Sequence, residues 1–417
     1  MSTGLSGQTL GSIVASARNI YVSACSSEIE SVPEILREHR PVGANVTGVF
    51  SPMVNRRSYV DVELGIRVRT VLLTKALKRD MALGLVDHCP WRYSMVDQWI
   101  CAPGRFDTAL VMMSPPDAAG NCSLGVQTDF LPSFLHQVER VVGFINPQMP
   151  RTAGDTAVPY ASLAAVVDHD APLPTMVDRA ADETAIRIAR SIVELVPDHA
   201  TVQFGIGQIP SQVIAALAGH RGLKVHSGVV DDNILVLEAS GALDPGSPIV
   251  TGTVVGTRAL YDAVDRNDRF SCRRVGYTHS HAVISGTPRF MAINSVLQAD
   301  LLGQISSEFS GGKLVATPGG LPDFVRGALA SEGGRSIVAV RARTGPGHSN
   351  GIVPLLDSPS AATVPGNDAD VLITEFGVAE LRGLTFDERA KAVIAIAAPE
   401  DREHLERQWS QLRSSFF

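Results

Sequence analysis

The sequence predicts an α/β fold with mainly parallel sheets. Apolar, β-rich runs recur ahead of glycine- or serine-containing turns and helix-period segments, the order that parallel βα units need. NIYVSACSSEIESVPEILREH from Asn19 and ATVQFGIGQIPSQVIAALAGH from Ala200 share it: strand, small-residue turn, proline, helix. A chain of 417 residues exceeds what one core ordinarily fills. The similar openings of the two halves therefore suggest two related domains.

Between the halves, VVDHDAPLPTMVDRAADETA (166–185) carries acidic residues, two prolines and no strand pattern. DETAIRIARSIVELV then resumes as an amphipathic helix with an acidic start. The boundary is placed near 180, giving an N-terminal domain over 1–180 and a C-terminal domain over 181–417. SPIVTGTVVGTRALYDAV, RFMAINSVLQADLLGQ, GGKLVATPGGLPDFVRGALAS and GGRSIVAVRARTG add strands and helices separated by glycine turns, so the second domain is the larger.

Hydrophobic residues at 45% and charged ones at 19% describe a globular chain. The net charge of -7 and the absence of a Lys/Arg run argue against nucleic-acid or anionic-membrane partners, both of which need a basic surface. Cys25, Cys89, Cys101, Cys122 and Cys272 are odd in number and lack ligand spacing, so buried free thiols are expected and no metal site. No basic-then-apolar leader opens the chain and no apolar run reaches a membrane span of about 18 residues. A cytoplasmic protein is expected.

GIGQIP (205–210) sits on a strand-to-helix turn, where glycines let backbone N–H groups approach an anion or oxyanion and Pro210 suits the first helical turn. A packing turn is the alternative, there and at TPGGLPDF, where Gly319 and Gly320 precede another helix. SPPDAAGNCSLG (114–125) reads as a structured loop at a strand end, and INPQMPRTAGD (145–155) as a fixed irregular crossing. His279 and His281 in GYTHSHAV would share one face of a strand; without a third ligand nearby, a base or substrate-contacting role for His279 competes with a satisfied buried histidine. His226 reads as structural. Glu308, in the small-residue loop QISSEFSGGK, reads as a surface carboxylate. Ser227, in VHSGVVDD, has no GxSxG elbow, which argues against a serine-hydrolase triad.

Taken together, SPPDAAGNCSLG, INPQMPRTAGD, FGIGQIPSQV, VTGTVVGTRALYD, INSVLQADLLGQ, GGLPDFVRGALASEGG, ITEFGVAELRG and ERAKAVIAIAAPEDREHL resemble the acetyl-CoA hydrolase/transferase family, which includes the 4-hydroxybutyrate and acetate CoA-transferases. The resemblance runs from about residue 20 to about 407 and implies two CoA-transferase-like domains, a homodimer, and an acyl-CoA or acyl-carrier thioester as substrate with no tightly bound cofactor. It implies that Gly205, Gly207, Gln208, Gly319 and Gly320 line the thioester site. Its transferases use a glutamate that forms a mixed anhydride and then holds CoA as an enzyme thioester. The position matching that glutamate is Gly228, and the family arginine before Ile-Val-Pro is Gly351.

Glycine has no group able to store CoA. The reading that follows is acyl-CoA hydrolysis or direct acyl transfer, with Gly228 among the thioester-site residues and His279, Glu308 or Ser227 as candidate catalytic groups. A transferase using another carboxylate, Glu308 or Glu238, and a noncatalytic acyl-CoA binder are the alternatives.

Overall fold

The computed structural model describes residues 9–176, 182–343 and 350–416; the expected boundary near 180 lies outside them. Two compact units are present, neither continuous in sequence. The first comprises Met1–Val177, Gly228–Asp232 and Pro248–Thr278, and the second Asp178–Ser227, Asn233–Ser247 and His279–Phe417. Segments 228–232 and 248–278 thus group with the N-terminal part of the chain, where the sequence reading drew a single cut.

The first unit is built on seven strands: β1 (Asn19–Val22), β2 (Asn45–Gly48), β3 (Arg67–Thr70), β4 (Val86–His88), β5 (Thr108–Met113), β6 (Arg140–Ile145) and β7 (Ala165–Asp168). Their order is β7-β6-β5-β1-β2-β3-β4, and every neighbouring pair is parallel. Strands covered on both faces need continuous apolar runs, and TALVMM of β5 is buried at all six positions. β7 corrects the expectation that no strand pattern follows residue 166. It is an edge strand with one neighbour, so Ala165, Val166 and Val167 suffice to register it against Val142–Phe144, while Asp168 is exposed. Helix α1 (Tyr93–Ile100) buries Val96 and Ile100 in a core that includes Tyr21, Phe106 and Phe134. The Tyr21 ring meets Phe134 edge-on at 4.8 Å between centroids.

The second unit opens with α2 (Glu183–Val193), as its periodicity predicts. Asp182 caps it by accepting the Ala185 N–H at 2.9 Å, and Ala185, Ile188, Ala189 and Ile192 form its buried stripe. β8 (Thr201–Phe204), α3 (Gln208–Ala216) and β9 (Lys224–His226) follow in the predicted strand–turn–helix order. The later elements are β10 (Phe290–Ser295), α4 (Leu321–Ala330), β11 (Arg335–Ala339), β12 (Val371–Thr374) and β13 (Gly377–Glu380). Within this unit the order is β13-β12-β11-β10-β8-β9, parallel except for β13 on β12.

A helix linking two parallel neighbours starts at the carboxyl edge of the strand it leaves. The N-termini of α3 and α4 therefore both lie at the carboxyl edge of the β8–β10–β11 sheet, where α/β proteins place ligand sites. Both glycine motifs are carried to that edge.

Cys25, Cys89, Cys122 and Cys272 are buried free thiols and Cys101 is partly exposed. Among the described residues no helix is long and apolar enough to cross a membrane, and no group of three or more His, Cys, Asp or Glu could hold a metal ion.

Candidate functional site

GIGQIP turns the chain from β8 into α3. Gly205 donates its N–H to the Ile293 carbonyl at 2.8 Å, extending the β8–β10 ladder, and a β-carbon on it would lie 3.1 Å from Asn294 Oδ1. Gly207 has φ 113° and open space where a β-carbon would stand, so the turn requires glycine for its backbone rather than for room. Ser211 then donates both its N–H, at 3.1 Å, and its hydroxyl, at 3.0 Å, to the Gly207 carbonyl. The positive end of α3 faces the loop.

Beneath the turn, Gln203 and Asn294 exchange amide hydrogen bonds at 3.2 and 2.9 Å, both side chains buried. Arg341 bridges the helix starts, donating to Asp182 Oδ2 at 2.8 Å and to Gln208 Oε1 at 3.2 Å. Ser227 is fully buried with its hydroxyl donating to the Phe204 carbonyl at 3.1 Å. That bond ties the end of β9 to the end of β8, a positioning contact and not the exposed hydroxyl of a nucleophile.

His279 and His281 do not share a strand face. Val275–Thr278 and His281–Ser285 are short helices, with His279 between them. His279 is buried against Phe324 of α4, with ring centroids 4.6 Å apart, and Phe324 lies over Phe290, whose edge meets His226 at 5.6 Å. A β-carbon on Gly320 would fall 2.3 Å from His279 Nε2, so the glycine at the start of α4 gives the imidazole its place. Burial, reinforced by the charge His226 would carry, pushes the His279 imidazole down to about 3. It is neutral at neutral pH and a poor base. Gly319, with φ 56°, precedes the turn with open space at its β-position.

Glu308 is buried, at 5% exposure, and not the surface carboxylate the sequence suggested. Thr363 donates to its Oε1 at 2.8 Å and also accepts the Ser307 N–H at 3.0 Å. Desolvation raises the Glu308 carboxyl above its ordinary range, and the Thr363 bond opposes part of that rise. Gly351 donates to the Ala342 carbonyl at 2.9 Å, and a β-carbon there would lie 1.8 Å from the Arg341 carbonyl oxygen. No arginine side chain fits that backbone.

In the first unit, the Gly228 carbonyl accepts the Gly252 and Thr253 N–H groups at 3.2 and 3.1 Å, beside the parallel pair Val229–Val230 and Thr253–Val254. The SPPDAAGNCSLG and INPQMPRTAGD loops form one cleft of about 410 Å³ lined by Ser114, Asp117, Gln148, Arg151 and Tyr261. Arg151 clamps them, pairing with Asp117 at 2.7 Å and donating to Ser114 Oγ and the Pro115 and Asn121 carbonyls. The structured loop and the fixed crossing are thus explained by one guanidinium.

Residues 36–178 match the acetyl-CoA hydrolase/transferase N-terminal domain, and residues 256–409 match its C-terminal domain. The chain belongs to the acetyl-CoA hydrolase/transferase family. The 4-hydroxybutyrate coenzyme A transferase of Clostridium kluyveri is 36% identical over 72% of this chain and 71% of its own length. The solved structure of RipA from Yersinia pestis superposes with a TM-score of 0.88 at 25% identity, covering 97% of each chain. Acetyl-CoA hydrolases are relatives too: that of Kluyveromyces lactis is 29% identical over 53% of this chain and 44% of its own length. This family member is therefore an enzyme whose relatives include both transferases and hydrolases.

Sequence reading had singled out the glycines but not Asn294, Gln203, Arg341 or Thr363. Their signal is pairing across distant segments, with Gln203 and Asn294 separated by 91 residues and Glu308 and Thr363 by 55.

Proposed function

We propose that this family member opens an acyl-CoA or acyl-carrier thioester by direct attack of water or another acceptor on the carbonyl carbon, without a glutamyl-CoA intermediate. Position 228 carries the reading: where the family resemblance calls for a carboxylate, the chain has a glycine whose backbone is engaged with Gly252 and Thr253. Direct attack needs donors for the oxyanion, and the Gly205–Gln208 turn at the start of α3 offers N–H groups and the positive helix end. Gly319 and Gly320 at the start of α4 offer the same chemistry. A homodimer in the cytoplasm belongs to the same reading, and light scattering of the purified protein tests the dimer.

Glu308 supports a second reading, a CoA-transferase with a relocated carboxylate. It is buried, oriented by Thr363 and raised by desolvation, the environment that makes a carboxylate a better nucleophile. Thiol release from a panel of acyl-CoAs, followed with and without added carboxylates, separates the two. Release without a carboxylate supports direct attack, and release only with one supports transfer.

A further inference from the structure

A pocket of about 160 Å³ opens at the amino edge of the first unit's sheet, the edge opposite the SPPDAAGNCSLG and INPQMPRTAGD loops. Asn19 and Asn45 begin β1 and β2, and Thr47 of β2 stands beside Arg69 of β3. Residues two apart on a strand share a face, so Asn45, Thr47, Arg67 and Arg69 all stand on one side of the sheet. Trp99, from the last turn of α1, and Arg105, from the loop that leads into β5, complete the pocket.

Both arginines lie against the same indole. The Arg105 guanidinium carbon is 4.3 Å from the Trp99 ring centroid, and that of Arg69 is 5.3 Å from it. Arg105 also donates its Nε–H to the Trp99 carbonyl at 3.2 Å, which leaves both terminal nitrogens without a partner among the described residues. Arg69 approaches Asp87 at 3.6 Å, but that carboxylate is shared with Arg67 at 3.0 Å. Asp107 is taken by Arg140 at 3.0 Å and by the N–H groups of Arg18 and Asn19. Among the described residues no Asp or Glu lines the pocket. Asn45 donates its amide N–H to Asn19 Oδ1 at 3.3 Å, so the Asn19 amide N–H groups and the Thr47 hydroxyl remain for a ligand.

We propose that this pocket binds a small dianion, a dicarboxylate or inorganic phosphate, through Arg69 and Arg105 beside Trp99. Two cations gathered at one neutral ring repel each other, and an anion in the pocket turns that repulsion into attraction. The planar guanidinium fork matches the oxygens of a carboxylate or a phosphate. The indole and the Trp99 carbonyl hold the Arg105 fork in place before the anion arrives, which lowers the ordering cost of binding. The volume is below the ~300 Å³ from which pockets hold larger ligands, so the site suits a small free anion and not a nucleotide. The assignment does not depend on how the thioester is opened.

The test titrates the full chain at low ionic strength with inorganic phosphate, malonate and succinate, followed by calorimetry, with sodium chloride at matched ionic strength as the control. Wild type is expected to bind at least one of the three at one equivalent per chain, and the tightest titrant distinguishes phosphate from dicarboxylate. Arg105→Gln removes the guanidinium that has no carboxylate partner and leaves the Asp87 pairing intact; it weakens binding about tenfold or more, as does Arg69→Gln. The bound anion also raises the melting temperature of wild type above that in chloride, a rise that Arg105→Gln lacks and that decides the matter where Arg69→Gln does not fold. No binding by wild type beyond that of chloride, or binding of unchanged strength in folded Arg105→Gln, overturns the assignment.

Discussion

Gly320 and His279 occupy complementary space: a β-carbon on the glycine would lie 2.3 Å from the imidazole Nε2. The relationship joins the start of α4 to a buried neutral histidine.

Gly320→Ala forces the imidazole aside within a packed cluster, and overpacking of this kind costs about 1–3 kcal/mol. The clash has one principal partner, so most of the cost is expected to vanish in a His279→Ala background. Thermal melts of the two single variants and the double variant read that coupling. Additive losses would show that another neighbour sets the limit.

Burial of His279 makes stability fall with acid. The imidazole titrates near its ordinary 6.5 when unfolded and at about 3 when folded. Above 6.5 neither state is charged. As pH drops from 6.5 toward 3, the unfolded chain binds a proton that the folded chain refuses, and stability is lost. His279→Leu is expected to show a shallower decline in melting temperature between about pH 6.5 and 4 than wild type does.

Glu308 has the opposite sign. Its folded carboxyl is raised above 4.5, so wild type loses stability relative to a neutral isostere as pH climbs through 4.5 and onward. Glu308→Gln keeps an oxygen for the Thr363 hydroxyl and is expected to melt higher than wild type at neutral pH, with the difference closing near 4.5. Thr363→Val removes the bond that favours ionisation and is expected to lower the neutral-pH melting temperature, by about 1–3 kcal/mol of stability.

Under the proposed reading, Gly228→Glu supplies the carboxylate that direct attack does without. Where the loop is otherwise that of a transferase, the variant is expected to gain acetate-dependent CoA exchange and a borohydride-sensitive enzyme thioester, both read by intact-mass spectra. A folded variant with neither would show that the site has diverged beyond one residue.

The α/β fold and both glycine turns were legible because Gly, Pro and apolar runs punctuate the chain locally. The strand Ala165–Asp168 was missed because an edge strand needs only three apolar residues. GYTHSHAV was misread because a short run has no period long enough to separate strand from helix. Glu308 is buried and held by the Thr363 hydroxyl, 55 residues later. A carboxylate's surroundings are a tertiary property, so composition and spacing leave them unwritten. Gly351 shows the same limit: the backbone crossing that would put a β-carbon there 1.8 Å from the Arg341 carbonyl oxygen is invisible in the sequence.

The most direct measurement incubates the purified protein with acyl-CoA, with and without a carboxylate, and follows thiol release together with the intact mass of the enzyme. Direct attack predicts release without any carboxylate and an enzyme mass that never rises by CoA. A CoA adduct that forms on the enzyme, with release only when a carboxylate is present, would contradict it.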